Sequence, residues 1–123
     1  MENKCTTALC FIYNPIYKDR ILSFFKGICE NAKESGNLIE CGRNNEYNVD
    51  INNMIRKTIF DFLGHEEEVK EFLKVNKVEA FLEIVPEIKA SANEPKPILS
   101  LDDDIIKFLY TSGIRMDLDY YLY

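Results

Sequence analysis

The sequence has one histidine, no tryptophan and no C-x-x-C pair among its four cysteines. A single histidine removes the usual participant in general-base catalysis, and the missing cysteine pair removes the commonest zinc-ligand spacing. No glycine-rich phosphate loop, Ser–His–Asp set or Cys–His pair is recognisable. We therefore expect no enzymatic activity, no bound metal and no cofactor.

Long hydrophobic runs are also missing. No apolar stretch approaches the ~20 residues that a membrane-spanning helix needs. The apolar stretch over residues 8–13 is too short for the core of a signal peptide and has no small-residue cleavage site after it. We expect a cytoplasmic protein whose cysteines, at positions 5, 10, 29 and 41, are reduced and mostly buried.

Positive charge is scarce in the second half of the chain. The net charge is −6, and residues 61–123 carry fourteen acids against seven bases, whereas residues 1–60 carry seven acids and eight bases. An acidic chain without a basic cluster is a poor candidate for nucleic-acid binding. The imbalance suits a basic protein partner, although net negative charge also favours solubility in general.

Apolar material is ample for one core. The chain has 123 residues, of which 46% are hydrophobic, with eight Phe and seven Tyr. This size and composition predict one globular domain spanning residues 1–123.

In the first half, residues 5–12 favour a strand with apolar side chains on both faces, which is typical of a central position in a sheet. Apolar residues at helical spacing from Tyr17 predict a helix that Gly36 ends. Residues 38–41 and 47–51 read as two short strands of a hairpin around the turn-rich residues 42–45.

Two helices and a strand are predicted next. Asp50 or Asn52 caps a helix over residues 53–63, Gly64 stops it, and a short helix begins at His65. Residues 78–88 alternate as a strand, in which Pro86 predicts an edge position or a bulge because proline has no N–H.

The last third is a loop over residues 90–97, a helix over 100–112 that Ser100 caps and Gly113 ends, and a strand over 116–123. On that strand Met116, Leu118, Tyr120 and Leu122 share one face, and Asp117, Asp119, Tyr121 and Tyr123 share the other. Helices cover one side of the sheet and the other side is open and polar. The predicted fold is α+β, a single domain with a mostly antiparallel sheet and helices packed on one face.

Three groups of acidic residues are candidates for a metal-binding or catalytic site. His65 with residues 66–68, and residues 102–104, are better explained as acids in the first turn of a helix, where the helix dipole favours them. Asp117 and Asp119 project from one sheet face. They are either solvated acids of an exposed face or a contact surface for a basic partner, and catalysis is the least supported reading.

Four segments of the second half carry a resemblance to a known family. They are Phe81-Leu-Glu-Ile84 and residues 97–102, 105–109 and 113–120. Together they resemble domain-of-unknown-function family 4279, a bacterial family whose members end with a Pro–Leu–Ser-type helix start, a glycine and an Asp-x-Asp-Tyr-like strand. The likeness spans about residues 50–123. The family has no established activity, so the resemblance implies a fold but no catalytic reaction and no ligand.

Small acidic proteins of this lineage are similar to immunity proteins, including those of contact-dependent growth inhibition and other polymorphic toxin systems. By this analogy we expect a protein that binds a basic, nuclease-like toxin domain and occludes its active site. The alternative is a homo-oligomeric or ligand-binding module, a homodimer for example, whose interface is the open sheet face. The residues expected to bind the partner are Glu79, Glu83, Glu87, Asp117, Asp119 and Tyr121.

Overall fold

The computed structural model describes residues 3–47, 50–89 and 100–122. Within them a six-stranded sheet carries four α-helices on one side, so the predicted α+β fold is confirmed. No helix in the described ranges is long and apolar enough to cross a membrane. The elements are β1 (Lys4–Ile12), α1 (Lys18–Ile28), β2 (Lys33–Ser35), β3 (Leu38–Tyr47), α2 (Ile51–Ile59), α3 (Glu66–Asn76), β4 (Glu79–Ile88), α4 (Asp103–Ser112), β5 (Arg115–Leu118) and β6 (Tyr121–Leu122), with 3-10 turns at Pro15–Tyr17 and Phe60–Phe62.

The strands lie in the order β2-β3-β1-β4-β5, and β6 also pairs with β4. The pairs β2–β3, β3–β1 and β1–β4 are antiparallel. Strands β5 and β6 run parallel to β4 along its other side. A parallel pair needs a crossover connection, and α4 lies between β4 and β5 in the chain to supply it.

The core lies between the sheet and the helices. Phe11 of β1 stacks on Phe25 of α1, with ring centroids 4.0 Å apart, and on Phe62 at 5.7 Å. On the other side of β1, Ala8 and Cys10 are also buried. Strand β1 is therefore central and has buried side chains on both faces, as its sequence predicts.

The predicted hairpin is misplaced. Residues 38–47 form the single strand β3, which crosses Gly42 (φ 65°) at an irregularity in its pairing with β1. The actual hairpin is β2–β3, and Gly36 (φ 64°) lies in its turn. The prediction that Gly36 ends the first helix is therefore wrong, because α1 already ends at Ile28.

Helix boundaries differ from the predictions by a few residues. Asp50 caps α2 by accepting a hydrogen bond from the N–H of Asn52 (2.9 Å), so α2 begins at Ile51. The predicted strand over residues 47–51 is wrong at this residue. Helix α4 begins at Asp103 rather than at Ser100, and Gly113 (φ 74°) ends it as predicted. The start of α3 after His65 also agrees. The loop predicted over residues 90–97 lies outside the described residues.

Pro86 explains why the final strand is divided. It lies in β4, between β1 and the β5–β6 side, and the pairing register is the same before and after it, so neither the predicted edge position nor the predicted bulge is found. The N–H of Asp119 donates to the carbonyl of Ile84 (3.0 Å), and the next bond of a parallel ladder would come from the N–H of residue 86, which proline lacks. Pairing resumes at Glu87 with Tyr121. The strand predicted over 116–123 is thus two short strands.

Candidate functional site

The side of the sheet away from the helices, called the open face here, has a floor of small side chains. Thr6, Ala8 and Cys10 of β1 point to this side and are 5%, 0% and 2% exposed. Longer side chains of the neighbouring strands β3 and β4 flank this floor. The result is a shallow groove along β1.

Strand alternation places acids along this groove. Glu79, Glu83 and Glu87 of β4 lie opposite Ile12, Ala8 and Lys4 of β1, on the open face. The parallel pairing then sets Asp117 beside Glu83 and Tyr121 beside Glu87.

The six residues expected to bind a partner therefore all lie on the open face. A concavity of about 350 Å³ is lined by Glu83, Glu87, Asp117, Asp119 and Tyr121 together with side chains of β1 and β3. Glu79 lines an adjacent concavity of about 380 Å³, which Asp117 also borders. The two concavities meet at Asp117.

Positive groups neutralise only part of this face. Lys4 pairs with Glu87 (3.4 Å) and Arg43 with Glu40 (3.0 Å). Among the described residues, no cationic side chain lies within ion-pair distance of the remaining open-face carboxylates, which are Glu79, Glu83, Asp117 and Asp119.

The crowding of carboxylates changes their ionisation. Partial burial raises the pKa of Glu83, and the negative charges of Glu40, Asp117 and Asp119 raise it further, while Arg43 lowers it. The charge of Asp119 is the main cause of a raised pKa at Tyr121, whose hydroxyl donates a hydrogen bond to that carboxylate (3.2 Å). Both shifts show a local negative potential that an incoming cation would relieve.

The same potential reaches the floor of the groove. Burial raises the pKa of the Cys10 thiol to about 12, and Glu83 and Glu40 add to the effect. All four cysteines are buried free thiols, which agrees with the predicted burial. Because the thiolate is the reactive form, Cys10 is held in its inert state.

The remaining acids that the structure describes in the second half lie elsewhere. Asp102 and Asp104 pair with Arg56 of α2, and Glu68 pairs with His65 at the start of α3. The described acids past residue 60 are therefore divided between two regions of the molecule. The sheet acids gather, whereas residues 66–68, Asp103 and Asp104 occupy the first turns of α3 and α4, as the dipole predicts. Nowhere in the described ranges do three or more His, Cys, Asp or Glu residues form a group suited to a metal ion.

Sequence reasoning missed the contribution of β3. Glu40, Arg43 and Asn45 border the groove on the side opposite β4, and Arg43 and Asn45 line the first concavity. Their alternation is broken by the extra residue at Gly42, so the pattern looked like a turn. The polar residues at 40, 43 and 45 would have indicated a strand face had a bulge at Gly42 been considered.

No family model, no curated protein and no solved structure matches this chain. The resemblance to family 4279 stays a prediction from the quoted segments.

Proposed function

We propose that this protein is an immunity protein that binds a cognate toxin domain through its open face and occludes the active site of that domain. The observation that carries the proposal is the acidic groove, in which Glu79, Glu83, Asp117 and Asp119 lie together on a helix-free surface without cationic partners among the described residues. The family likeness and the small size of the chain support it as an analogy.

The chemistry of the groove suits a basic protein site. Carboxylates accept paired hydrogen bonds from arginine side chains, and such charge-assisted bonds are roughly twice as strong as neutral ones. Tyr121 is half exposed beside these acids and offers a rigid aromatic surface with a polar end. A surface of this kind also accelerates the encounter with a positively charged partner. Active sites that handle phosphate groups are basic, so a nuclease-like domain is the partner class that fits.

A homo-oligomeric or ligand-binding module that uses the open face is the second candidate. The concavity of about 350 Å³ offers room for a small ligand. Its lining is acidic, however, and two such faces would repel each other if they packed together. The charge therefore favours a basic heterologous partner over face-to-face self-association.

The test is co-expression with the product of the gene immediately upstream, the position where a cognate toxin is expected. The wild-type chain should restore growth and co-purify with that product. In the face variant, Glu79→Gln, Glu83→Gln and Asp119→Asn together, rescue and complex should both be lost while the fold persists. Absence of rescue and of a complex with the wild-type chain would contradict the proposal.

A matched control removes the same number of charges from the helical side. The helix variant, Glu67→Gln, Glu71→Gln and Asp103→Asn together, changes exposed acids of α3 and α4 that make no ion pair within the described residues. It should rescue growth as the wild type does. Equal loss of growth rescue and of complex formation in the two variants would show that net charge, rather than the open face, determines binding.

A further inference from the structure

The outer edge of β5 presents backbone groups that pair with no other strand in the part of the chain that the structure describes. The N–H of Asp119 donates to the carbonyl of Ile84, and the register pairs Asp117 with Glu83. In a parallel ladder, every second residue of a strand directs both its backbone N–H and its C=O to the same neighbouring strand. The backbone groups of Asp117 and Asp119 therefore point to β4. Met116 and Leu118 therefore direct their N–H and C=O groups outward, where no other strand of the described chain lies.

The side chains on this edge are apolar and exposed. Met116, Leu118 and Leu122 are 40%, 36% and 69% exposed, and Tyr120 is 49% exposed. The sequence pattern predicts that these residues lie on the helix-covered side of the sheet, and their exposure shows that the prediction of burial is wrong. The opposite edge of the sheet, β2 (Lys33–Ser35), is three residues long and carries two charges. Short charged edges discourage strand pairing, whereas an apolar edge with free backbone groups invites it.

We propose that the β5 edge pairs with the β5 edge of a second copy of this chain, antiparallel about a twofold axis, so that the two sheets become continuous. The two edges are identical, so such a contact is self-complementary and closes at two copies. This inference does not rest on the proposed immunity function, because the backbone groups of the β5 edge make the contact, and Asp117 is the one open-face carboxylate that it shares with the proposed toxin site.

The charge pattern selects one register. Hydrogen bonds between the two edges form only where residues whose backbone N–H and C=O groups point away from β4 lie opposite each other. Met116 can therefore lie opposite Met116, Leu118 or Ile114 of the second copy. With Met116 opposite Met116, Arg115 of each copy faces Asp117 of the other. The neighbouring registers place Asp117 against Asp117, or Arg115 against Arg115. Opposite charges directly across a strand pair stabilise it and like charges destabilise it. The register with Met116 opposite Leu118 also sets Arg115 opposite Asp119, but its Asp117–Asp117 pair weakens it, so the first register, which has opposite pairs and no like-charge pair, is favoured.

The test is the molar mass measured by light scattering during size-exclusion chromatography over a wide range of protein concentration. The wild type should approach twice the 14.4 kDa of the chain. The single reversals Arg115→Asp and Asp117→Arg should each weaken the dimer by about tenfold or more, since they place like charges opposite each other twice. The double variant carrying both reversals restores the opposite pairing and should recover the dimer.

Met116→Pro supplies an independent variant. It removes an outward N–H without touching the hydrogen bonds to β4, and edge strands tolerate proline. It should be monomeric with an unchanged circular dichroism spectrum. Lys74→Glu, an exposed charge reversal on α3, is the control and should dimerise as the wild type does.

Three results would overturn the proposal. One is a wild-type chain that is monomeric at every concentration. That result would overturn the proposal even if the β5 edge were found to pair with a strand of another protein. Another is a dimer that both single reversals leave intact. The third is a double variant that stays as monomeric as the single reversals while its melting temperature matches the wild type.

Discussion

Replacing Gly42 with alanine tests how β3 passes under α2 and turns its polar side chains to the groove. An added Cβ would lie 2.2 Å from the backbone oxygen of Thr58, and the φ of Gly42 is +65°. The left-handed conformation costs a residue with a side chain ~1–2 kcal/mol, and forcing an atom into a packed contact costs ~1–3 kcal/mol more. We expect Gly42→Ala to lower the free energy of unfolding by ~2–5 kcal/mol.

Two other glycines separate these contributions. Gly36 has a φ of +64° but nothing within 4 Å of an added Cβ, so Gly36→Ala should cost only the ~1–2 kcal/mol of backbone strain. Gly27 lies within α1 with open space around it, so Gly27→Ala should stabilise by ~0.5–1 kcal/mol. Urea denaturation measures all three.

The order of the unfolding free energies of the three variants tests whether the close approach to Thr58 constrains β3. If Gly42→Ala costs no more than Gly36→Ala, the close approach of β3 to Thr58 is not a constraint on the fold. The bulge would then be a consequence of other contacts, and the reasoning from the close approach to Thr58 would be refuted.

Three further predictions concern polar groups. Thr58→Val removes a buried hydroxyl that lies 2.7 Å from that of Thr7 and should cost ~1–3 kcal/mol in urea denaturation; an unchanged midpoint would contradict this. The pKa of Glu83 is raised, so its ionised form opposes folding above that pKa, and the opposition is relieved as pH falls through it. Glu83→Gln should therefore be more stable than the wild type at neutral pH, and its advantage should shrink in acid; an advantage that grows in acid would refute the sign. The Arg56 guanidinium lowers the pKa of Asp104, so the contribution of this exposed pair to stability is lost as pH falls through that lowered pKa. Arg56→Met should therefore differ from the wild type less in acid than at pH 7, as melting temperatures at the two pH values can show.

The architecture was predictable where periodicity is strong. Residues 5–12 and 78–88 have strand patterns that packing confirms, and the alternation of β4 was enough to place Glu79, Glu83 and Glu87 on one face. Asp50 and Gly113 mark helix ends because their local chemistry acts within one turn. These signals depend on neighbouring residues alone, so no tertiary information was needed.

The wrong predictions concern residues whose structure is determined by contacts with residues far away in the sequence. Gly42 looks like a turn residue, yet pairing with β1 and the approach of Thr58 make it a bulge in one long strand. Pro86 predicts an edge when read alone, but it lies inside the sheet because the β5–β6 side is interrupted at the position where its N–H is missing. Met116 and Leu118 carry a core pattern that the edge of the sheet leaves exposed. Each outcome depends on which strands become neighbours.

The most direct measurement of the central claim is the dissociation constant of the complex with the inactivated product of the upstream gene, obtained by titration calorimetry for three chains. The face variant should bind about a hundredfold or more weakly than the wild type, because truncating close charge pairs at an interface costs ~2–5 kcal/mol. The helix variant should bind within a few-fold of the wild type. A face variant that binds as tightly as the wild type, beside a helix variant that does not, would place the partner on the opposite side of the molecule.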